Sequence, residues 1–295
     1  MLMLVLFGGL LVGGAGRAPT GVKPVVDPEK VCWSRLDLVA SKFGLSLKAS
    51  VSRNRLSPGE ARGELLEPEG KWVGIAPGGP TERLELSTSF LNRHSESILL
   101  FDPADGTTFQ RKVVETGGRS RYKVIRFAEE GIVTRRRSPR NEAEEDLHPR
   151  RWSEARQETD PYPPGVHRVV EPSVLFYLVS GLDLEDRDLE LEVPFYTHNE
   201  IHRARLRLEE LQRLRVDFEV RSSRGKRRVE GPRTVRRITV RPIPMDGRKG
   251  KLEFIGLEGE VELFVDAEYR VPVLVRGRVE LVGRVEVRLR GLRQP

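Results

Sequence analysis

A single cysteine, Cys32, is all the thiol chemistry that this chain of 295 residues carries. No disulfide can form within it, and no multi-thiolate zinc or iron–sulfur site can be built from it. Cys32 stands beside Trp33 with no adjacent base, which suits a small core or edge residue better than a nucleophile. Other catalytic signatures are missing too. There is no G-x-S-x-G elbow, no P-loop and no glycine-rich dinucleotide turn after a strand. Neighbouring acids such as Glu144, Glu145 and Asp146 sit in a solvated charged stretch, where nothing separates their acidities for acid–base work.

Histidine is equally scarce, with five in the chain. Only His198 and His202 have a suggestive spacing, but the run reads H-N-E-I-H rather than H-E-x-x-H. Residues four apart share an ion readily on a helix, whereas on a strand they lie roughly 13 Å apart. Only a turn at Thr197–Glu200 would bring the two rings together. The expectation is therefore no catalytic residue, no metal and no cofactor, with metal-assisted hydrolysis at His198 and His202 as the enzymatic alternative.

Long apolar runs are absent, with one partial exception. Residues 1–15, MLMLVLFGGLLVGGA, carry no charge and are apolar from Met1 to Val12. Spanning a bilayer takes roughly 20 such residues. This shorter run ends in small residues, as the apolar region of a signal peptide does, and Gly13 with Ala15 would mark cleavage. No basic segment precedes it, so the alternatives are a true start further upstream, an uncleaved inner-membrane tether or a buried apolar terminus. Residues 16–30 hold three prolines and read as an extended tether. The expected location is the periplasm, with the leader meeting the membrane during export only.

Lysine is sparse as well: 10 of the 51 basic residues, against 41 arginines, with 44 acids and a net charge of +7. In a cytoplasmic protein this surplus would suggest nucleic acid. Here the cations alternate with acids and apolar residues, as in Arg284-Val285-Glu286-Val287-Arg288-Leu289-Arg290, which is the pattern of solvated strand faces. No nucleic-acid partner is expected. Two denser clusters, Arg135-Arg136-Arg137 and Arg224 with Lys226, Arg227 and Arg228, are candidates for contact with anionic envelope components through guanidinium–phosphate pairing.

What the chain does have is alternation. Leu45, Leu47, Ala49 and Val51 are separated by polar residues, the period-two signature of a half-buried antiparallel strand. Residues 57–80, rich in Gly and Pro, read as a loop. Further strands are expected at 83–88, 98–101, 108–114, 122–127 and 132–135, with hairpin signals between them. Residues 136–168 are charge-dense and proline-rich and read as a long insert without regular structure. Glu171–Gly181 is the clearest helix, with Pro172 in its first turn, Gly181 as its stop and apolar residues all round. The last third alternates again: Phe218 and Val220, Val261 and Leu263, Val273 and Val275, Val287 and Leu289. Residues 201–215 are ambiguous, because Leu206 and Leu208 fit a strand while Leu208, Leu211 and Leu214 fit a helix.

The run Pro172-Ser173-Val174-Leu175-Phe176-Tyr177-Leu178 resembles the D-P-x-S-x-L-Y-Y-L-R helix of a bacterial exported family, domain of unknown function 3108. Near the C-terminus, Leu263-Phe264-Val265-Asp266, Val271-Pro272-Val273 and Gly283 to Leu289 are similar to that family's strand, hinge and final strand, and Val220–Val240 to its strand–turn–strand. The resemblance spans residues 31–292 and is closer after 170. Glu171 stands where the family has Asp, Val179 where Arg is common, and residues 199–214 read as an insertion. The resemblance implies a periplasmic, antiparallel, incompletely closed β-barrel akin to lipoprotein-localisation carriers. The family has no agreed activity, so no catalytic residue carries over.

The expected architecture is thus mainly β: a curved antiparallel sheet forming an incompletely closed barrel, with one short buried helix, as a single domain over 31–292. The expected function is non-enzymatic binding of an apolar or lipid-like ligand, such as an acyl chain, in the concave face. Val174, Leu175, Phe176 and Leu178 of the helix would line it, together with Phe218, Val261, Leu263, Val273 and Leu281 of the strands. The alternative is an arginine-rich module that holds lipopolysaccharide or an acidic partner without a pocket.

Overall fold

The structure, a computed structural model, describes residues 26–42, 45–68, 71–90, 92–117, 120–186, 188–244, 250–280 and 282–295. The expected leader, most of the expected tether and Leu281 lie outside the described residues. Among the described residues, alternation produces fifteen strands. The first half is a meander of β1 (Arg35–Lys42), β2 (Leu45–Leu56), β3 (Thr81–Phe90), β4 (Arg93–Phe101), β5 (Thr108–Thr116), β6 (Arg121–Phe127), β7 (Gly131–Ser138) and β8 (Glu154–Pro161). The second half holds β9 (Glu190–Thr197), β10 (Glu200–Ser222), β11 (Gly225–Ile243), β12 (Glu253–Phe254), β13 (Leu257–Asp266), β14 (Pro272–Val279) and β15 (Gly283–Arg293). The helices are short: α1 (Pro58–Glu64), α2 (Glu142–Glu145) and α3 (Leu175–Gly181).

All the strands belong to one sheet, in the order β8-β7-β6-β5-β4-β3-β2-β1-β15-β14-β13-β11-β10-β9, with β12 appended to β13. A ring closes within it. Past the last residue that β14 pairs, β15 takes a second neighbour, and Gly291–Arg293 run parallel to Glu219–Arg221 of β10. The seam is only three residue pairs long, so the ring β10-β11-β13-β14-β15 is a partial closure. The remaining meander extends from it through β1. The expected antiparallel sheet with a short buried helix is what folds, and both halves share it.

Two of the expected loops need correction, and the ambiguity at residues 201–215 is settled. Residues 136–168 are not an unstructured insert, because β7 runs on to Ser138 and β8 adds an exposed edge strand along it. A strand with solvent on both faces and an unpaired edge carries charges to stay soluble, and that polarity hides its period. Residues 57–80 contain α1, started by a capping box in which Ser57 and Glu60 satisfy each other's backbone. Residues 201–215 form one strand with a bulge between Leu208 and Leu211. The bulge shifts the phase, so Leu208 is buried while Leu211 is 44% exposed. Arg236 occupies the gap and donates to the Leu184 and Glu209 carbonyls.

Helix α3 is buried on every side against the inner face of the sheet. A short 3-10 turn, Pro172–Val174, leads into it and is capped by Glu171, whose carboxylate accepts from the Ser173 N–H at 2.7 Å. Gly181 is not a left-handed stop. Glycine is required there by close approach, since a Cβ would lie 2.3 Å from Val26 and 3.1 Å from the Asp27 carbonyl. The Asp27 N–H donates to the Gly181 carbonyl, and Val26 and Val31 are buried, so residues 26–30 are packed chain rather than tether.

Beside the helix, Trp33 donates its indole N–H to Ser180 at 3.0 Å. Arg53 fills the adjoining space between the Trp33 and Tyr177 rings, donates to the Val31 and Trp33 carbonyls, and pairs with Glu82 at 3.1 Å. Glu82 is 1% exposed, and burial raises its pKa against the pull of Arg53. Removing one partner of a buried pair strands the other charge. Arg53→Met is therefore expected to lower stability to urea by about 3–5 kcal/mol. Adding Glu82→Leu should recover part of that loss, since no orphan charge then remains.

Candidate functional site

The inner face of the meander does not end at α3. Beyond the 3-10 turn it continues as one wall of an open cleft of about 1010 Å³, at the top of the size range of small-molecule sites. The facing wall is made by Pro172 and Ser173, by the β9–β10 hairpin tip from Tyr196 to Asn199, and by Glu253, Ile255 and Gly256 around the β12–β13 turn.

The hairpin tip is a two-residue turn with His198 at φ 51° and Asn199 at φ 61°. These are residue types that accept the left-handed region comparatively well, and two such residues match the twist of a tight hairpin. The turn brings Asn199 Oδ1 to within 2.7 Å of Lys123 Nζ on β6. Three residues back on β9, Tyr196 lies over Phe127 edge to face and under the Lys123 ammonium. In this way β9, at one end of the sheet, packs on the inner face of β6 and β7 near its other end.

Alternation grades the polarity of the meander wall. Leu47 on β2 and Leu86 on β3 are apolar, and Thr88 with Ser95 and Ser97 on β4 supply hydroxyls. Val113 on β5 and Ile125 on β6 continue the apolar floor, while Arg111, Arg121, Lys123, Arg136 and Arg156 bring cations from β5 to β8. Several of these are matched. Arg111 pairs with the buried Glu171 at 2.6 Å, Arg121 with Glu115, and Arg136 with Glu158 at 3.1 Å. Lys123 is different: among the described residues no carboxylate lies within ion-pairing reach of it, and its partner is the neutral Asn199. Burial, reinforced by Arg136, Arg111 and Arg121 and opposed by Glu158, pushes its pKa from 10.5 to about 8.

Of the nine expected lining residues, the eight that are described lie elsewhere. Val174, Leu175, Phe176, Leu178, Phe218, Val261, Leu263 and Val273 are each at most 4% exposed, pack on one another in the main core and do not line the cleft. Leu281 is outside the described residues. The arginine clusters are divided by the same alternation. Arg136 faces the cleft, whereas Arg137 donates to the Trp152 carbonyl on the outer face and Arg135 bonds to Gln157. In the second cluster Lys226 pairs with Glu219, Arg228 with Asp217 and Glu230, and Arg227 lies over the Tyr269 ring, with Arg224 in the turn. His198 sits 3.5 Å from Glu253, and the buried His202 sits 3.4 Å from Glu200. Among the described residues no group of three or more His, Cys, Asp or Glu side chains could hold a metal ion, and no helix is long and apolar enough to cross a membrane.

The chain matches no protein-family model, no curated protein and no solved structure.

Sequence reading missed Lys123 and Arg156. A signal for the first existed: a two-residue turn at Glu129-Glu130, closed by the Ala128–Gly131 pair, sets Lys123 opposite Arg136 by counting outward. The pairing of β7 with β8 spans an excursion of fifteen residues, Pro139 to Ser153, and cannot be counted. The lowered Lys123 pKa has a stability consequence. Between about pH 8 and 10.5 the folded state releases a proton that the unfolded chain retains, so stability rises with pH there. Thermal unfolding is expected to show this rise in the wild type relative to Lys123→Gln, and above the upper limit the difference between the two should stop changing with pH.

Proposed function

We propose that this protein is a non-enzymatic, periplasmic binding protein that holds an apolar or lipid-like ligand in the cleft between the β2–β8 meander and the β9–β10 hairpin tip. The observation that carries this reading is the polarity gradient of the meander wall, from Leu47 and Leu86 through Ser95 and Ser97 to Lys123 and Arg136. A ligand with an apolar body and a polar end fits such a wall along its whole length. The uncharged apolar run at residues 1–15 supports export, and the resemblance of the Pro172–Leu178 run to an exported family supports the same compartment.

The reading moves the expected ligand away from the core around α3, which its own side chains already fill, to the open part of the same concave face. The pocketless alternative draws less support. Residues 135–137 do not point one way, and most of the cations at 224–228 already face acids or an aromatic ring.

Filling the cleft tests the proposal. Thr88 is half-buried on β3, and tryptophan is as compatible with a strand as threonine. The neutral fluorescent probe N-phenylnaphthylamine is expected to bind the wild type and to stay bound in about 0.5 M salt, where surface electrostatics are screened. Thr88→Trp should weaken it at least about tenfold, or by about 1.4 kcal/mol, with little change in unfolding midpoint. A wild type that takes up no probe, or a variant that binds it equally well, would refute the assignment.

A further inference from the structure

Across the inner face of β6, β7 and β8, three cations stand directly opposite one another. Lys123 pairs in register with Arg136, and Arg136 with Arg156, and all three line the cleft. Directly opposed side chains on neighbouring strands are about 5 Å apart at Cβ, and like charges so placed destabilise a sheet. Glu158 offsets the row by pairing with Arg136, and Asp160, two residues further along β8, also acts on Lys123 and Arg136 without pairing with either. Among the described residues neither Lys123 nor Arg156 has a carboxylate within 4 Å. Glu154, two residues along β8, also lines the cleft but makes no such pair. The other cleft carboxylates are engaged: Glu115 by Arg121, Glu171 by Arg111 and Glu253 by His198. A second observation agrees. The Arg136 Nε–H is buried and has no hydrogen-bond acceptor.

We infer that the row Lys123–Arg136–Arg156 is a subsite for the phosphate monoester group of an amphiphile whose apolar body lies toward Leu86 and Val113. The inference rests on the cleft being the ligand site. Lys123 and Arg156 each lack a carboxylate partner, so a group that can offer charged oxygens to both at once suits the row better than one with a single negative charge. A phosphate monoester carries about −1.5 to −2 at neutral pH, whereas a carboxylate carries one. Its three free oxygens can also accept from an ammonium, from the vacant Arg136 Nε–H and from a second guanidinium at once, which a carboxylate cannot do. The Lys123 ammonium, now held by a neutral amide oxygen, would exchange that acceptor for a charged one.

Calorimetric titration of the full chain near pH 7 with dodecyl phosphate, dodecanoate, dodecanol and inorganic phosphate tests this. Dodecyl phosphate is expected to bind at least about tenfold tighter than dodecanoate or dodecanol, as each new charge-assisted hydrogen bond is worth roughly that factor. Inorganic phosphate should bind far more weakly than dodecyl phosphate. In Arg156→Gln, on the exposed edge strand where folding is not at risk, and in Lys123→Gln, the preference for phosphate should fall at least several-fold while dodecanol binding holds. Without ligand both variants should unfold at the same or a higher temperature than the wild type, because each relieves the like-charge row; a purely structural role would lower it. Equal affinity for the three alkyl ligands, or a preference that survives both substitutions, would overturn the phosphate assignment and leave the cleft reading standing. Inorganic phosphate binding as tightly as dodecyl phosphate would overturn the amphiphile part. Failure of all three alkyl ligands would overturn the cleft reading itself, and the inference with it.

Discussion

Among the described residues, fifteen strands and a seven-residue buried helix set the central constraint: a single sheet must bury its own inner face, because little else there is available to cover it. Apolar residues left on one side of a sheet are driven from water at roughly 25 cal/mol per Å². With no second layer supplied by helices, the sheet curls until its ends meet its own interior. At the C-terminal end the curl closes a ring through the short seam of β10 with β15. At the other end it brings Tyr196 of β9 against Phe127 of β6. Helix α3 plugs the region between, buried all round, with Gly181 pressed against the N-terminal chain.

The arginine surplus acquires a different meaning in this setting. Several arginines act as bridges to main-chain carbonyls where strands bulge or loops cross the sheet. Arg126 donates to the carbonyls of Phe109, Phe127 and Ile75; Arg236 serves the bulge in β10; Arg270 reaches the carbonyls of Ser180 and Leu182 at the end of α3. A planar guanidinium with five donors can satisfy several acceptors from one buried position, which an ammonium on a flexible stem does poorly. Much of the positive charge therefore serves the fold.

Against that background the opposed row on β6, β7 and β8 stands apart, because those cations crowd one another instead of capping carbonyls. The row lies where the polarity of the sheet grades into an apolar floor, and on that layout the proposed amphiphile site rests. The same alternation that builds the floor sends every second residue outward, which is why the triplet at 135–137 contributes one arginine to the cleft and two to other surroundings.

Periodicity decides which segments are strands, and it made the meander, the C-terminal alternation and the apolar helix after Pro172 legible in the chain itself. Phase-breaking features defeated it: the bulge at Leu208/Leu211 imitated a helix, and the solvated edge strand β8 imitated a linker. The candidate site was legible only in fragments. The eight described residues nominated for ligand contact face inward but are packed as core, because inward-facing residues become core wherever another part of the sheet reaches them. Lys123 could have been set opposite Arg136 from the turn between them; Arg156 could not be added, nor Asn199, which lies 76 residues further along the chain. Local composition and period determined the strands, the faces and the helix, because those depend on neighbours a few residues away. Where the sheet folds over itself, and hence which part of the dry face is filled and which stays open as a cleft, only the tertiary structure decided, because that depends on contacts between strands that no local pattern encodes.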